Sequence, residues 1–275
     1  MKWQGRQGSN NVEDRRGMSI GKMAVGVGIG TVVIVIIVLL LGGDPSQLLN
    51  TENEPETEQI QSTAEEDQMV QFVSVVLKDT ETVWSKIFQE WGSSYRQPTL
   101  VLFRNEVSSA CGFASAASGP FYCSSDEKVY IDLSFCDLLK TKFGANGDFA
   151  IAYVIAHEIG HHVQNQLGIL EKVTSQQSGL SEKQANQLLV QLELQADFLS
   201  GMWAHNAQEM LNTLETGDVE EALNAAAAVG DDNLQMKSEG RITPDAFTHG
   251  TSAQRKAWFM KGWKTGDIEQ GNTFE

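Results

Sequence analysis

Apolar residues return along this chain in two rhythms, one helical and one alternating. From Glu65 to Trp91, Val70, Val73, Leu77, Trp84, Ile87, Phe88 and Trp91 recur at roughly helical spacing, with Gly92 as a stop, so the spacing predicts an amphipathic helix. Pro98–Phe103 reads as a strand, and shorter strands are expected at Pro120–Cys123 and Lys128–Asp132. Ser108 to Gly119, rich in Ser, Ala and Gly, reads as a loop. A strand just before the next helices could offer an edge that pairs with a peptide backbone. Ser134–Phe143 predicts a short helix. A longer one follows, with Asp148 as its expected N-cap and its end near Leu167 and Gly168. Ser181 and Gln184 form a capping box opening another helix, whose apolar stripe is Leu189, Leu192, Ala196, Leu199 and Trp203. Asp218–Glu221 is expected to cap a helix running through Ala222 to Val229. The segment from Asp231 to Gly240 reads as a polar connection, and Ser252 as the cap of a last helix.

A different pattern stands near the start. Residues 1–22 are polar and basic, and Met23 to Leu41 then runs without a charge. At 1.5 Å per residue that run nearly spans a bilayer core, and no small-x-small cleavage site follows it. The expectation is one transmembrane helix over 23–41, with residues 1–22 cytoplasmic and the C-terminal part exported to the periplasmic or extracellular side. Residues 42–67 carry Gly, Pro, Glu, Thr and Gln with few apolar groups, the composition of a flexible acidic linker. Residues 68–275 are left for the main folded domain. The expected fold class is α+β: a mostly helical domain with a small sheet, preceded by the membrane helix. The net charge of −16 argues against nucleic acid as a partner. In an exported domain Cys111 and Cys123 are the preferred disulfide pair, leaving Cys136 free or bonded elsewhere.

The chemistry concentrates in His157-Glu158-Ile159-Gly160-His161, a His-Glu-x-x-His pattern. Residues four apart on a helix differ by about 40° in direction, so His157 and His161 share a face and can bind one zinc ion. Glu158, beside them, is placed to take a proton from an activated water. The apolar lead-in from Ala150 to Ala156 must be buried, and buried polar groups at its end need partners. A hydrolytic zinc takes three protein ligands. Glu193 and Asp197 flank the apolar stripe of the next helix, where carboxylates are costly without cations. Glu193 is therefore the candidate third ligand, and Asp197 the candidate partner for a ligand histidine's distal nitrogen. His205 is a rival; about 18 Å of helix separates it from Glu193, so both cannot serve one site. His249, in a Gly-containing turn, is a candidate donor to the oxyanion that forms when water attacks a carbonyl. Arg255 could also line the site.

These residues resemble the bacterial YpfJ-type neutral zinc metallopeptidases. The resemblance covers nearly the whole chain, including Trp3-Gln4-Gly5, Val12 to Arg16, Gly119 to Cys123, Lys128 to Leu133, the His-Glu-x-x-His helix, Glu193 to Asp197, Gly217 to Asn224 and Thr248 to Ser252. It implies a likeness to gluzincins, in which a downstream Glu is the third ligand, and so favours Glu193 over His205. Relatives often carry Cys where this chain has Phe198 and Gly271; any disulfide joining those places is absent here. The expected function is a membrane-anchored zinc peptidase acting on peptides or proteins. The rival is a membrane-tethered zinc-containing scaffold or adaptor, which a fourth protein ligand would favour.

Overall fold

The structure is a computed structural model that describes residues 1–17, 62–115 and 118–274. Strands β1 (Val12–Asp14), β2 (Thr99–Phe103), β5 (Phe121–Cys123) and β6 (Lys128–Asp132) form a sheet in the order β1-β2-β6-β5. β1, β2 and β6 run parallel, and β5 is antiparallel to β6 at one edge. Side chains alternate across the sheet, and both faces are used. Leu100, Leu102, Val129 and Ile131 enter the large helical core, whereas Val101, Phe103 and Tyr130 meet Val107, Ala114 and Cys123 on the other face.

That second face is covered by a hairpin, β3 (Glu106–Ser109) and β4 (Gly112–Ser115), which begins just before the Ser108–Gly119 segment expected to be a loop and takes up its first part. Its composition is poor in strand formers, but Val107 and Ala114 pack on the sheet and the Cys111–Cys123 disulfide ties its turn to the end of β5. Tertiary contact overrides propensity here. The disulfide is the expected pair, and Cys136 is free and buried.

The helical side contains α1 (Ala64–Glu90), α2 (Leu133–Thr141), α3 (Asp148–Gln166), α4 (Ile169–Gln177), α5 (Glu182–Leu211), α6 (Asp218–Ala228), α7 (Asp231–Glu239) and α8 (Ser252–Thr265). α3 is buried from Phe149 through Gly160, as its apolar lead-in requires. Glycines set the helix spacing. A Cβ on Gly160 would lie 3.0 Å from the Ala196 carbonyl oxygen, and Cβ atoms on Gly201 and Gly262 would lie 2.0 Å from the Phe259 and Phe198 oxygens. α3, α5 and α8 therefore approach at backbone distance. The Phe198 ring lies directly against Gly271, where a Cβ would fall 2.5 Å from it.

Several local expectations are corrected. Gly147, at φ +104°, occupies the N-cap of α3, and Asp148 is its first residue; Glu221 from α6 accepts the Phe149 N–H instead. Gly217 and Thr251, not Asp218 and Ser252, stand at the N-caps of α6 and α8. Residues 231–239 form helix α7 where a connection was expected.

The membrane expectation is also corrected. No helix among the described residues is long and apolar enough to cross a membrane, and residues 23–41 lie outside the described residues. The packing gives a physical reason to drop the single-pass arrangement. Residues 1–17 lie on the body built from 62–274: β1 pairs with β2, Arg6 grips Asp79, and Lys128 binds Glu13. A single crossing between 17 and 62 would place these partners on opposite sides of a bilayer. The transmembrane helix of the expected fold class, the cytoplasmic N-terminus with an exported C-terminal domain, and the membrane as a partner through 23–41 are accordingly not retained.

Candidate active site

Helices α3 and α5 cross where Gly160 meets Ala196, and the crossing brings His157, His161 and Glu193 together. One ligand atom from each lies within 4.8 Å of the others. Nε2 of His157 is 3.1 Å from Glu193 Oε2, and Nε2 of His161 is 3.4 Å from Oε1.

The distal nitrogens explain the orientation. His157 Nδ1 donates to Asp197 Oδ1 at 2.9 Å, and His161 Nδ1 donates to Gln164 Oε1 at 2.9 Å. Gln164 is itself held, donating to the Leu192 carbonyl and to Gln195. With both Nδ1 protons committed, neutral rings would turn two Nε2 lone pairs toward one carboxylate. That arrangement is repulsive unless the rings are protonated or a cation lies among them. Two imidazoles and a carboxylate, oriented from behind, are a donor set that zinc accepts with a position left open.

The electrostatics agree. Burial disfavours a charged His157, but Asp197 and Glu193 beside it raise its pKa to about 10. His161 is raised, against burial, by Glu193. Glu193 is held well below the ordinary carboxylate range because His161, His249 and His157 outweigh its own burial. Glu158, 8% exposed, goes the other way: burial raises its pKa, partly offset by His161 and His157.

Asp197 is fully buried and receives more donors than His157 alone. Tyr153 OH donates to Oδ1 at 2.5 Å, and Arg255 Nε donates to Oδ2 at 2.8 Å. Tyr153 escaped the sequence reading, although it sits four residues before His157 on the same helix face. Asp231 was missed as well. This first residue of α7 accepts from the backbone N–H groups of Thr248, His249 and Gly250 at 2.8, 2.6 and 2.9 Å. Its second oxygen lies 3.3 Å from His249 Nδ1. The three N–H groups close a tight turn, with Gly250 at φ +92°. His249 is raised in pKa against burial, first by Glu193 and then by Asp231, so the turn brings it into the field of Glu193.

Two histidines lie elsewhere. His205 Nδ1 donates to the Trp263 carbonyl, and its Nε2 lies near Glu209. His162 is fully buried: Nε2 donates to the Arg96 carbonyl at 2.6 Å, and Nδ1 accepts from Tyr122 OH at 3.0 Å. Asn165 also donates to Tyr122 OH, so two side chains of α3 hold one hydroxyl of edge strand β5.

Comparison with known proteins agrees with this chemistry. Residues 1–274 match the family described as "Putative neutral zinc metallopeptidase". The chain is 48% identical to the "Uncharacterized protein YpfJ" of Escherichia coli (strain K12), over 100% of this chain and 99% of that protein. It is 41% identical to the "Uncharacterized protein Rv2575" of Mycobacterium tuberculosis (strain ATCC 25618 / H37Rv), over 70% of this chain and 67% of that one. No solved structure matches the chain.

Proposed function

Because the chain belongs to the "Putative neutral zinc metallopeptidase" family, whose cofactor is zinc, we propose that it hydrolyses peptide bonds with His157, His161 and Glu193 as the metal ligands. One observation carries this reading: two imidazoles with committed Nδ1 atoms turn their Nε2 atoms onto the two oxygens of a single carboxylate. When bound there, zinc supplies Lewis-acid polarisation of the scissile carbonyl and lowers the pKa of a water to about 7.

The remaining roles belong to the chain's own groups. Glu158, raised in pKa by burial, takes the proton from the attacking water and passes it to the leaving amine. His249, held through Nδ1 and the Asp231 turn, presents Nε2–H to the oxyanion. Asp197 keeps the His157 proton on Nδ1. The substrate backbone pairs with the outer edge of β5, which Tyr122 fastens to α3 beside the motif. Backbone pairing needs no particular side chains and suits an endopeptidase.

The test is a mixed peptide library incubated with the zinc-loaded protein and with Glu158→Gln. Cleavage within peptides that disappears in Glu158→Gln while zinc is retained supports the reading. Cleavage that survives the substitution removes Glu158 from its role. Zinc without cleavage, together with a fourth protein ligand, would favour a scaffold.

A further inference from the structure

Asp197 is a fully buried carboxylate with four side-chain contacts. Oδ1 takes protons from Tyr153 OH at 2.5 Å, His157 Nδ1 at 2.9 Å and Arg255 Nη2 at 3.1 Å. Oδ2 takes one from Arg255 Nε at 2.8 Å. Two of these four contacts come from one guanidinium, which meets the carboxylate as a fork. The same guanidinium donates through Nη1 to the Val229 carbonyl at 3.2 Å, at the C-cap of α6. Arg255 is therefore fixed at both ends of its fork, and it is 3% exposed.

Arg255 Nε is the donor to Oδ2; without it a buried anionic oxygen would lose its hydrogen bond, and the carboxylate would be free to turn about its Cβ–Cγ bond. Oδ1 could then leave His157. The His157 ring would lose the partner that fixes which nitrogen faces Glu193. A lysine cannot replace the fork, because a single ammonium does not bridge both oxygens in one plane.

The reach of Arg255 depends on α8. Gly262 lies against the Phe198 carbonyl, and Gly201 lies against the Phe259 carbonyl. These contacts bring the α8 backbone close enough for a residue two turns earlier to cross α5 and meet Asp197. Sequence separation hides this, since Arg255 lies 98 residues from His157 and 58 from Asp197.

We propose that Arg255 is a positioning residue of the metal centre: it clamps both oxygens of Asp197, so that His157 is held with Nε2 toward the metal position. The inference rests on the ligand assignment above. The clamp acts before any substrate arrives, so its signature is metal affinity.

The experiment measures zinc affinity by chelator competition for the wild type, Arg255→Lys, Arg255→Met, Asp197→Asn and the Arg255→Met/Asp197→Asn double variant. Circular dichroism and thermal melting of the metal-free proteins report folding. Arg255→Met is expected to weaken zinc binding about 10–100-fold. Arg255→Lys is expected to fold and to recover only part of that loss. In the Asp197→Asn background, Arg255→Met should add little further loss, because its effect passes through Asp197. Should Arg255→Met fail to fold, Arg255→Lys carries the test alone, and zinc affinity equal to wild type in that variant overturns the clamp. Losses that add fully in the double variant also overturn it, since they would mark Arg255 as a general tie between helices. Glu193→Ala run alongside separates the two levels. If it keeps wild-type affinity, the ligand assignment fails; if it loses zinc while the Arg255 variants do not, only the clamp fails.

Discussion

Two clusters of side chains with the donor atoms to hold a metal ion converge on helix α3, and their surroundings differ. At its first residue, Asp148 joins Asp218 and Glu221, with ligand atoms within 4.8 Å of one another. Two turns on, His157 and His161 join Glu193 within the same span. In the first cluster the carboxylates already have partners. The Met1 ammonium lies 2.6 Å from Asp148 and 3.3 Å from Asp218, and Glu221 accepts the Phe149 N–H at 3.0 Å. In the second, the orienting contacts are made from behind, by Asp197 and Gln164, and the forward-facing Nε2 atoms turn onto the two oxygens of Glu193, with Arg255 Nη2 3.5 Å from that of His157. Proximity of acids alone does not distinguish a metal centre. Donor atoms that are aimed together do.

The largest separation between the clusters is expected in catalysis. Glu158→Gln should lower kcat/KM by about 10²–10⁴-fold with zinc retained, measured by peptide hydrolysis beside metal analysis. His249→Ala should cost about 10²–10³-fold in turnover, also with zinc retained; loss of the metal in that variant would make His249 a ligand instead. Next comes pH. His157 is raised from 6.5 to about 10, so its contribution to the stability of the metal-free protein is complete below pH 6.5 and is lost as pH rises through about 10. Zinc must displace that proton, so its affinity should rise over the same window by up to about tenfold per pH unit. Opposite slopes in melting temperature and zinc affinity would bear this out; parallel slopes would refute it. The smallest effect belongs to the other cluster. Asp218→Asn should leave zinc content unchanged, because the first cluster is held by the ammonium and a backbone N–H. Zinc lost from that variant would erase the distinction between the two.

Much of the second cluster was legible in the sequence because its signals are local. His157, Glu158 and His161 lie within two turns, and Glu193 and Asp197 betray themselves as carboxylates beside an apolar stripe. The Cys111–Cys123 pairing was similarly open to a reading of loop chemistry. The rest depends on distant partners. β1 forms only because β2, nearly ninety positions away, offers it an edge, and the hairpin at 106–115 exists because Val107 and Ala114 find the sheet. α7 is polar along most of its length and gave no periodic signal; Asp231 anchors it by binding the 248–250 turn. The apolar run at 23–41 read locally as a membrane span, but local hydropathy could not reveal that residues 1–17 pack on the same body as residues 62–274.

The most direct test of the account is zinc content, by metal analysis of the purified wild type and of Glu193→Ala. The account predicts about one zinc per chain in the wild type, lost from Glu193→Ala with the fold retained. A Glu193→Ala protein that keeps its zinc at wild-type affinity would contradict it, because the carboxylate facing both Nε2 atoms would then not be a ligand.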